Sequence, residues 1–248
     1  MGRRPRVTQT VILAAGSGSR LASARGNVPK PLVTVGGVPL VAHALEHARA
    51  SGCKEAVVVI GFDGDRVRAA VERMALPLYV RFITCPDHSA PNGVSLLAAE
   101  AVAAPLFFLQ MVDHVFGDVA LPRLITAPMN GEAGRVLVDR APVDLDLADA
   151  TRVRLEGTRV TAIGKGLDPW DAIDAGCFVL TRAVFDALRA VPAGAARTVS
   201  SGMRQLVAGG LLHAVDVDGT SWVDVDTPAD HAIAERLISP RLTAAGSR

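Results

Sequence analysis

The sequence predicts an α/β fold in which helices cover both faces of a mostly parallel sheet. Short apolar strands alternate with helical patterns through the first 140 or so residues, the order typical of such a fold. A run of small residues follows the first strand, at the edge where open parallel sheets hold their ligands. The chain has 248 residues, 50% of them hydrophobic, so it can bury one large core.

The pattern along the chain assigns each element in turn. We predict strands near 7–14, 56–61, 79–84, 106–112 and 135–139, and helices near 39–50, 64–75, 94–103 and 121–127. In the second half, Thr151–Glu156 and Arg159–Ile163 alternate apolar with polar residues about Gly157, which predicts a β-hairpin. The remaining predicted elements are strands at 175–180 and 211–217 and helices near 182–190, 199–208 and 228–238.

Composition limits the kind of protein this is. We expect a single domain over residues 1–240 and a disordered tail at 241–248. The formal net charge of +1, with both signs dispersed, argues against a nucleic-acid surface. Cys53, Cys85 and Cys177 lie far apart, which argues against a disulfide framework or a zinc site and favours a reducing compartment. With no membrane-spanning run and no signal peptide, a cytoplasmic protein without direct membrane insertion is expected.

The stretch after the first predicted strand is the most informative part of the chain. It contains the small residues Ala14, Ala15, Gly16 and Gly18. Without bulky side chains, main-chain N–H groups can approach a phosphate or a base edge. Arg20 and Lys30 add a planar cationic fork and a compact point charge. The spacing does not match a P-loop, and Leu21 stands where a dinucleotide fingerprint requires a small residue, so a different phosphate cradle is predicted.

This stretch and five later segments together resemble a known enzyme superfamily. The motifs are Leu13-Ala14-Ala15-Gly16-x-Gly18-x-Arg20, Pro29-Lys30-Pro31-Leu32, Asp113-His114-Val115, Ile163-Gly164-Lys165, Asp174-Ala175-Gly176-Cys177-Phe178-Val179-Leu180 and Trp222-Val223-Asp224-Val225-Asp226-Thr227. In this order they resemble the sugar-nucleotidyltransferase-like superfamily, and most closely the CTP:inositol-1-phosphate cytidylyltransferases. The resemblance extends from about Val11 to about Leu237.

The resemblance implies a fold and a reaction. The fold is a Rossmann-like three-layer α/β/α nucleotidyltransferase fold, with the hairpin as a wall over the acceptor site. The reaction converts CTP and inositol 1-phosphate into CDP-inositol and pyrophosphate, by in-line attack of the acceptor phosphate on the α-phosphorus. Mg²⁺ is the implied cofactor, since hard cations bind carboxylate and phosphate oxygens.

Other functions stay open at this level. The nucleotide donor could be CTP or UTP, and the acceptor could be another small phosphate or phosphonate, such as phosphocholine, an aminoalkylphosphonate or a sugar 1-phosphate. A non-catalytic nucleotide-binding regulator is the alternative from a different class. A homodimer is compatible with the sequence, which does not determine an oligomeric state.

Three aspartates are the candidate metal ligands. Asp113 follows an apolar strand, where a carboxylate is costly to bury without a partner, and is the first candidate. By resemblance, the second ligand is Asp224 or Asp226, and alternation along an extended chain would point both side chains to one face. Asp226 has a structural alternative as the cap of the helix that follows it.

The resemblance also assigns roles to residues that contact substrate. Lys30 would hold the triphosphate, Arg20 the leaving pyrophosphate and Lys165 the acceptor phosphate. Asp174 would bind acceptor hydroxyls, with a local turn as its structural alternative. For His114 the prediction comes from its position next to Asp113: it would orient that aspartate or line the acceptor site.

The nucleotide-binding positions fall in two segments. The first comprises Leu13, Ala14, Ala15, Gly16 and Gly18. The second comprises Asn92, Gly93 and Ser95 at the start of a predicted helix, where amides and short polar side chains can read a pyrimidine edge. A capped helix behind a loop is the structural alternative for this second segment.

Overall fold

The computed structural model describes residues 6–21, 26–117, 120–143 and 145–245. In chain order its strands are β1 (Gln9–Ala14), β2 (Thr34–Val35), β3 (Val38–Pro39), β4 (Glu55–Ile60), β5 (Tyr79–Thr84), β6 (Leu106–Met111), β7 (His114–Phe116), β8 (Gly134–Asp139), β9 (Arg152–Glu156), β10 (Arg159–Gly164), β11 (Ala172–Thr181), β12 (Leu212–Asp216) and β13 (Trp222–Asp224). The α-helices are α1 (Leu40–Ala50), α2 (Gly64–Glu72), α3 (Asn92–Ala98), α4 (Ala120–Thr126), α5 (Ala183–Arg189), α6 (Val199–Ala208) and α7 (Pro228–Ala245).

A nine-stranded sheet organises the chain, in the order β5-β4-β1-β6-β11-β8-β12-β10-β9. The first four strands in this order pair in parallel, as predicted from their alternation with helices. Strands β11 and β10 run opposite to the others. The predicted α/β class is confirmed, and each antiparallel pair described in this sheet includes β10 or β11 from the second half of the chain.

Helices cover both faces of this sheet. In β1, Val11 and Leu13 pack into the core under α3, α5 and α6, whereas Ile12 and Ala14 pack into the core under α1, α2 and α4. Successive side chains of a strand point to opposite faces, so a central strand covered on both sides is apolar throughout. The predicted three-layer α/β/α arrangement is therefore confirmed.

The predicted hairpin is present but belongs to the main sheet. Strands β9 and β10 pair with each other, β10 also pairs with β12, and β9 also pairs with β11. These pairings satisfy backbone groups that a free-standing hairpin would leave exposed. The hairpin thus extends the sheet beyond β12 and returns to pair with β11, and the residues flanking it, Thr151 and Lys165, line a cavity.

Two short strands that periodicity does not predict join distant parts of the chain. Strands β7 and β13 form an antiparallel ribbon in which Asp224 lies opposite His114. Three residues are too few to show an alternating pattern. The ribbon lies on a third apolar cluster that α7 helps to cover, formed by Leu21, Val33, Val35, Leu40, Val115, Val223, Val225, Ala234 and Ile238.

The end of the described chain differs from the prediction. Helix α7 continues to Ala245, so residues 241–245, expected to be a disordered tail, are helical. The stretch 242–245 contains good helix formers and no glycine before Gly246, so no stop signal occurs earlier. Residues 246–248 lie outside the described residues.

Among the described helices, none is both long and apolar enough to cross a membrane. Cys53, Cys85 and Cys177 are buried free thiols.

Candidate active site

A cavity of about 290 Å³ opens beside the turn that follows β1. Its lining includes Leu13, Ala15, Gly16 and Gly18. A Cβ added at Gly16 would meet no atom within 4 Å, so this backbone is open to a ligand. Ala14 does not line the cavity because its side chain is buried in the core on the opposite face of β1.

Residue 18 must be a glycine because the Lys30 side chain packs against its backbone. Its φ is +60°, and an added Cβ would lie 2.7 Å from both Cβ and Cδ of Lys30. Any side chain there would displace the lysine and would also occupy an unfavourable backbone conformation. The glycine spacing of the motif therefore creates the space in which the lysine side chain lies.

Lys30 is the buried cation of the site, with 5% of the residue exposed. Its Nζ donates to Asp113 Oδ2 and Asp226 Oδ1, both at 2.5 Å. Burial alone would lower the pKa of Lys30, but the carboxylates of Asp113, Asp224 and Asp226 outweigh it and raise the pKa above its ordinary value. The ammonium therefore stays charged and fixed in place at neutral pH.

Both carboxylate oxygens of Asp226 bind cationic side chains. One of its carboxylate oxygens accepts from Lys30 and the other from Arg20, which also donates to Asp149 at 2.6 Å. The alternative role of Asp226 as a helix cap is wrong. Thr227 and Asp230 form that cap: Thr227 Oγ1 accepts from the Asp230 N–H at 3.2 Å, and Asp230 Oδ2 accepts from the Thr227 N–H at 2.7 Å.

Asp113, His114 and Asp224 form a cluster that could hold a metal ion. Each offers one ligand atom, and these atoms all lie within 4.8 Å of one another. His114 Nδ1 lies 2.9 Å from Asp113 Oδ1 and 3.9 Å from Asp224 Oδ1. Asp224 Oδ1 is buried and has no hydrogen-bond partner among the described residues. A buried carboxylate oxygen without a donor, next to a second carboxylate, suits Mg²⁺, which prefers such ligands.

The pKa values in this cluster are shifted in opposite directions. Burial raises the pKa of Asp224 to about 7, and the negative charge of Asp113 adds to the shift. Burial opposes ionisation of Asp113 as well, but Lys30 and His114 outweigh it and hold its pKa well below the ordinary value. Burial lowers the pKa of His114, whereas Asp224 and Asp113 raise it, with a net value of about 9. The two aspartates are therefore a pair whose mutual repulsion a bound cation would relieve.

A second cavity of about 900 Å³ adjoins the first. Both are lined by Arg20, Asn92, Met111, Asp113 and Asp226, so they meet at the carboxylates. The larger cavity is also lined by Lys165 and Asp174. Two ligands, one in each cavity, would thus meet beside Asp113.

Asp174 combines a local backbone contact with a place in the lining of the larger cavity, and its contact with acceptor hydroxyls stays a prediction. Its Oδ1 accepts from the Gly176 N–H at 2.8 Å, which fixes the local turn, and its side chain faces the larger cavity. Burial raises its pKa to about 6. Gly176 has a φ of +69°, and an added Cβ would lie 2.3 Å from His114 Nε2, so the turn leaves room for the imidazole.

The start of α3 serves packing as well as the cavity. Asn92 and Ser95 line the smaller cavity, but Asn92 Oδ1 also accepts from the Val199 N–H at 2.9 Å. Gly93 lines neither cavity: an added Cβ would lie 2.4 Å from the carbonyl oxygen of Arg197. Its predicted contact with the nucleotide is therefore replaced by a tight contact between α3 and the chain before α6.

Asp149 is a site residue that sequence reasoning missed. It accepts from Arg20 and also forms an ion pair with Lys165, which joins the two cations across the larger cavity. Its side chain is 46% exposed. An isolated aspartate in a loop carries no periodic signal, and only the acidic run around Asp146 could have drawn notice.

Comparison with known proteins agrees with this geometry. The model of the MobA-like NTP transferase domain matches residues 10–204. The chain is 38% identical over 229 residues to a Rubrobacter xylanophilus protein named bifunctional IPC transferase and DIPP synthase, covering 92% of this chain and 51% of that protein. It is 31% identical over 248 residues to a Streptomyces rubellomurinus CMP-5'-(3-aminopropyl)phosphonate synthase, covering 94% of this chain and 39% of that protein. The chain spans about half the length of the first of these relatives and less of the second.

Solved structures show the same fold at lower sequence identity. The T. maritima inositol-1-phosphate CTP transferase superposes with a TM-score of 0.84 at 23% identity, over 95% of this chain and 98% of that one. A UDP-glucose pyrophosphorylase from Acinetobacter baumanii superposes with a TM-score of 0.80 at 16% identity, over 95% and 94% of the two chains. With the family model matched from β1 to α6, the chain belongs to the MobA-like NTP transferase domain family.

Proposed function

We propose that this domain is a Mg²⁺-dependent cytidylyltransferase that converts CTP and inositol 1-phosphate into CDP-inositol and pyrophosphate. The observation that carries the proposal is the meeting of two cavities at Asp113, one beside the glycine turn and Lys30, the other beside Lys165. The choice of substrates is supported by the relatives named for IPC transferase activity and by the fold shared with an inositol-1-phosphate CTP transferase.

In this proposal the nucleotide occupies the smaller cavity. Main-chain N–H groups near Gly16 approach the phosphates, and the fixed ammonium of Lys30 balances their charge. Arg20, at the junction of the cavities, would donate to the pyrophosphate as it leaves. Ser95 and the backbone at the start of α3 would face the pyrimidine.

The acceptor occupies the larger cavity with its phosphate toward Lys165. An oxygen of that phosphate forms a bond to the α-phosphorus of CTP, and the bond from that phosphorus to the β-phosphate oxygen breaks. No covalent intermediate with the protein is required, because positioning in line and neutralising charge supply most of the acceleration. Asp113 and Asp224 would hold Mg²⁺, which when bound would polarise the α-phosphate oxygens.

The rest of the proposal concerns the molecule as a whole. We take the described residues to form one nucleotidyltransferase domain. Buried free thiols at Cys53, Cys85 and Cys177 are consistent with the reducing cytoplasm as its location. A homodimer is compatible with the proposal and is not required by it, because both cavities are lined by residues of one chain.

One specific observation favours a second candidate, transfer of CMP to an aminoalkylphosphonate. The Streptomyces relative is named for such a product and matches 94% of this chain. The larger cavity also contains carboxylates, including Asp146 and Asp174, that could accept from an ammonium group as well as from hydroxyls.

The test is pyrophosphate release from a matrix of nucleotides and acceptors. CTP, UTP, ATP and GTP are each combined with inositol 1-phosphate, glucose 1-phosphate, phosphocholine and 2-aminoethylphosphonate, with Mg²⁺ and with a chelator. We expect turnover with CTP and inositol 1-phosphate that is abolished by chelator and by Asp113→Ala. Turnover with a phosphonate instead would favour the second candidate, and absence of turnover in every combination would contradict a catalytic role.

A further inference from the structure

The larger cavity has an excess of acidic side chains. Its lining contains seven aspartates but only three lysine and arginine residues. Two of those cationic side chains already form ion pairs with aspartates: Arg20 with Asp149 and Asp226, and Lys165 with Asp149. A phosphorylated acceptor entering this cavity would meet repulsion that these two partly neutralised cations offset only in part.

Arg204 is the third of these cations, and it has no acidic partner. Its side chain makes no ion pair or hydrogen bond with any residue in the described part of the chain. A Cβ added at Gly164 would lie 3.7 Å from Arg204 Nη1, which places the guanidinium alongside the backbone next to Lys165. The side chain is therefore charged, accessible and adjacent to the other cation of the acceptor cavity.

Helix α6 fixes the direction of this side chain. Ser200 and Arg204 are four residues apart, share one face of the helix and both line the cavity, whereas Met203 and Leu206 are buried. The start of the helix is held by Asn92, whose Oδ1 accepts from the Val199 N–H at 2.9 Å. The guanidinium is thus presented to the cavity by a helix that is anchored at its first turn.

We propose that Arg204 is an acceptor-binding residue whose guanidinium donates hydrogen bonds to oxygen atoms of the phosphorylated acceptor beside Lys165. This inference rests on the proposed function and adds a specificity-determining contact to it. A planar fork of N–H donors fits phosphate oxygens in pairs, which a lysine cannot do. The contact favours an anionic, oxygen-rich acceptor in a cavity whose other charges disfavour it.

The experiment compares Arg204→Gln and Arg204→Lys with the native protein. Arg236→Gln is the matched control, since Arg236 is an exposed arginine that does not itself line either cavity. We expect Arg204→Gln to raise the KM for inositol 1-phosphate roughly 10-fold or more, because the acceptor loses a charge-assisted hydrogen bond. The KM for CTP should be unchanged. Arg204→Lys should recover part of that loss, and Arg236→Gln should behave as the native protein.

Each other result has a defined meaning. An acceptor KM within twofold of native for Arg204→Gln, or an equal change in Arg236→Gln, would overturn the role of Arg204 while leaving the proposed function intact. If another acceptor in the matrix is the better substrate, the same comparison is made with it. Calorimetric titration of inositol 1-phosphate into native and Arg204→Gln protein measures acceptor binding without turnover. If the native protein shows neither turnover nor binding, the proposed function and this inference are both rejected.

Discussion

Two aspartates that sequence reasoning could not separate have different surroundings at the level of single atoms. Asp224 Oδ1 is buried without a donor in the described structure, whereas both carboxylate oxygens of Asp226 accept from cations. A metal ion would compete with Lys30 and Arg20 for Asp226, whereas no donor in the described structure competes for Asp224 Oδ1. We infer that Asp224 is the metal ligand and that Asp226 positions the two cations.

This division predicts different effects of matched substitutions. Asp224→Asn should raise the Mg²⁺ concentration needed for half-maximal activity by at least about 10-fold, because loss of a ligand costs no less than loss of its supporting partners. Asp226→Asn should leave the Mg²⁺ dependence near native and raise the KM for CTP, since Lys30 and Arg20 lose a partner. Titrating Mg²⁺ against initial rate in both variants makes the comparison, and a reversed pattern would assign the metal to Asp226.

At the level of elements, helix α3 contacts both the smaller cavity and the C-terminal half of the fold. Asn92 faces the cavity and also accepts from the first N–H of α6. Gly93 permits the contact, since an added Cβ would meet the Arg197 carbonyl oxygen at 2.4 Å and Leu188 Cδ2 at 2.9 Å. A segment predicted to recognise a base thus also joins α3 to α5 and α6.

Two glycines predicted to bind nucleotide should therefore differ when substituted. Gly93→Ala should lower the free energy of unfolding by about 1–3 kcal/mol, the usual cost of overpacking. Gly16→Ala, where an added Cβ meets no atom within 4 Å, should change stability by less than about 0.5 kcal/mol but weaken CTP binding. Urea unfolding and CTP titration measure the two effects, and equal stability of the two variants would refute the packing role.

At the scale of the whole molecule, the family match is shorter than the folding unit. The match ends at residue 204, yet β12 lies inside the main sheet between β8 and β10. Asp224, on β13, also reaches the site only through the ribbon with β7. The last forty or so described residues are thus required for both the sheet and the cluster of Asp113, His114 and Asp224.

Truncation tests this dependence. A chain ending at residue 204 should lose cooperative unfolding, because removal of β12 exposes the edges of two neighbouring strands and part of the core. A chain ending at residue 239 keeps β12, β13 and the apolar residues of α7 that pack on the third cluster, and should unfold cooperatively. Circular dichroism during urea unfolding distinguishes them, and a cooperative transition for the shorter chain would show that the folding unit ends earlier.

Much of this organisation could be predicted from the sequence. Each predicted strand and helix is present with ends that differ by a few residues, apart from the later end of α7, because hydrophobic periodicity reflects which side chains are buried. The glycine turn and its two cations are local features, so their proximity follows from short spacing along the chain. The ribbon of β7 and β13 could not be predicted, since pairing between residues more than one hundred positions apart leaves no local pattern.

The sequence by itself determined the α/β class, the glycine-rich turn after β1 and the set of charged residues available for chemistry. Only the tertiary structure decided which of those residues share partners: Asp226 with Lys30 and Arg20, Asp224 with Asp113 and His114, and Asp149 between Arg20 and Lys165. Periodicity reports burial one residue at a time, whereas ion pairing and metal binding depend on distances between atoms that folding brings together from separate strands and loops.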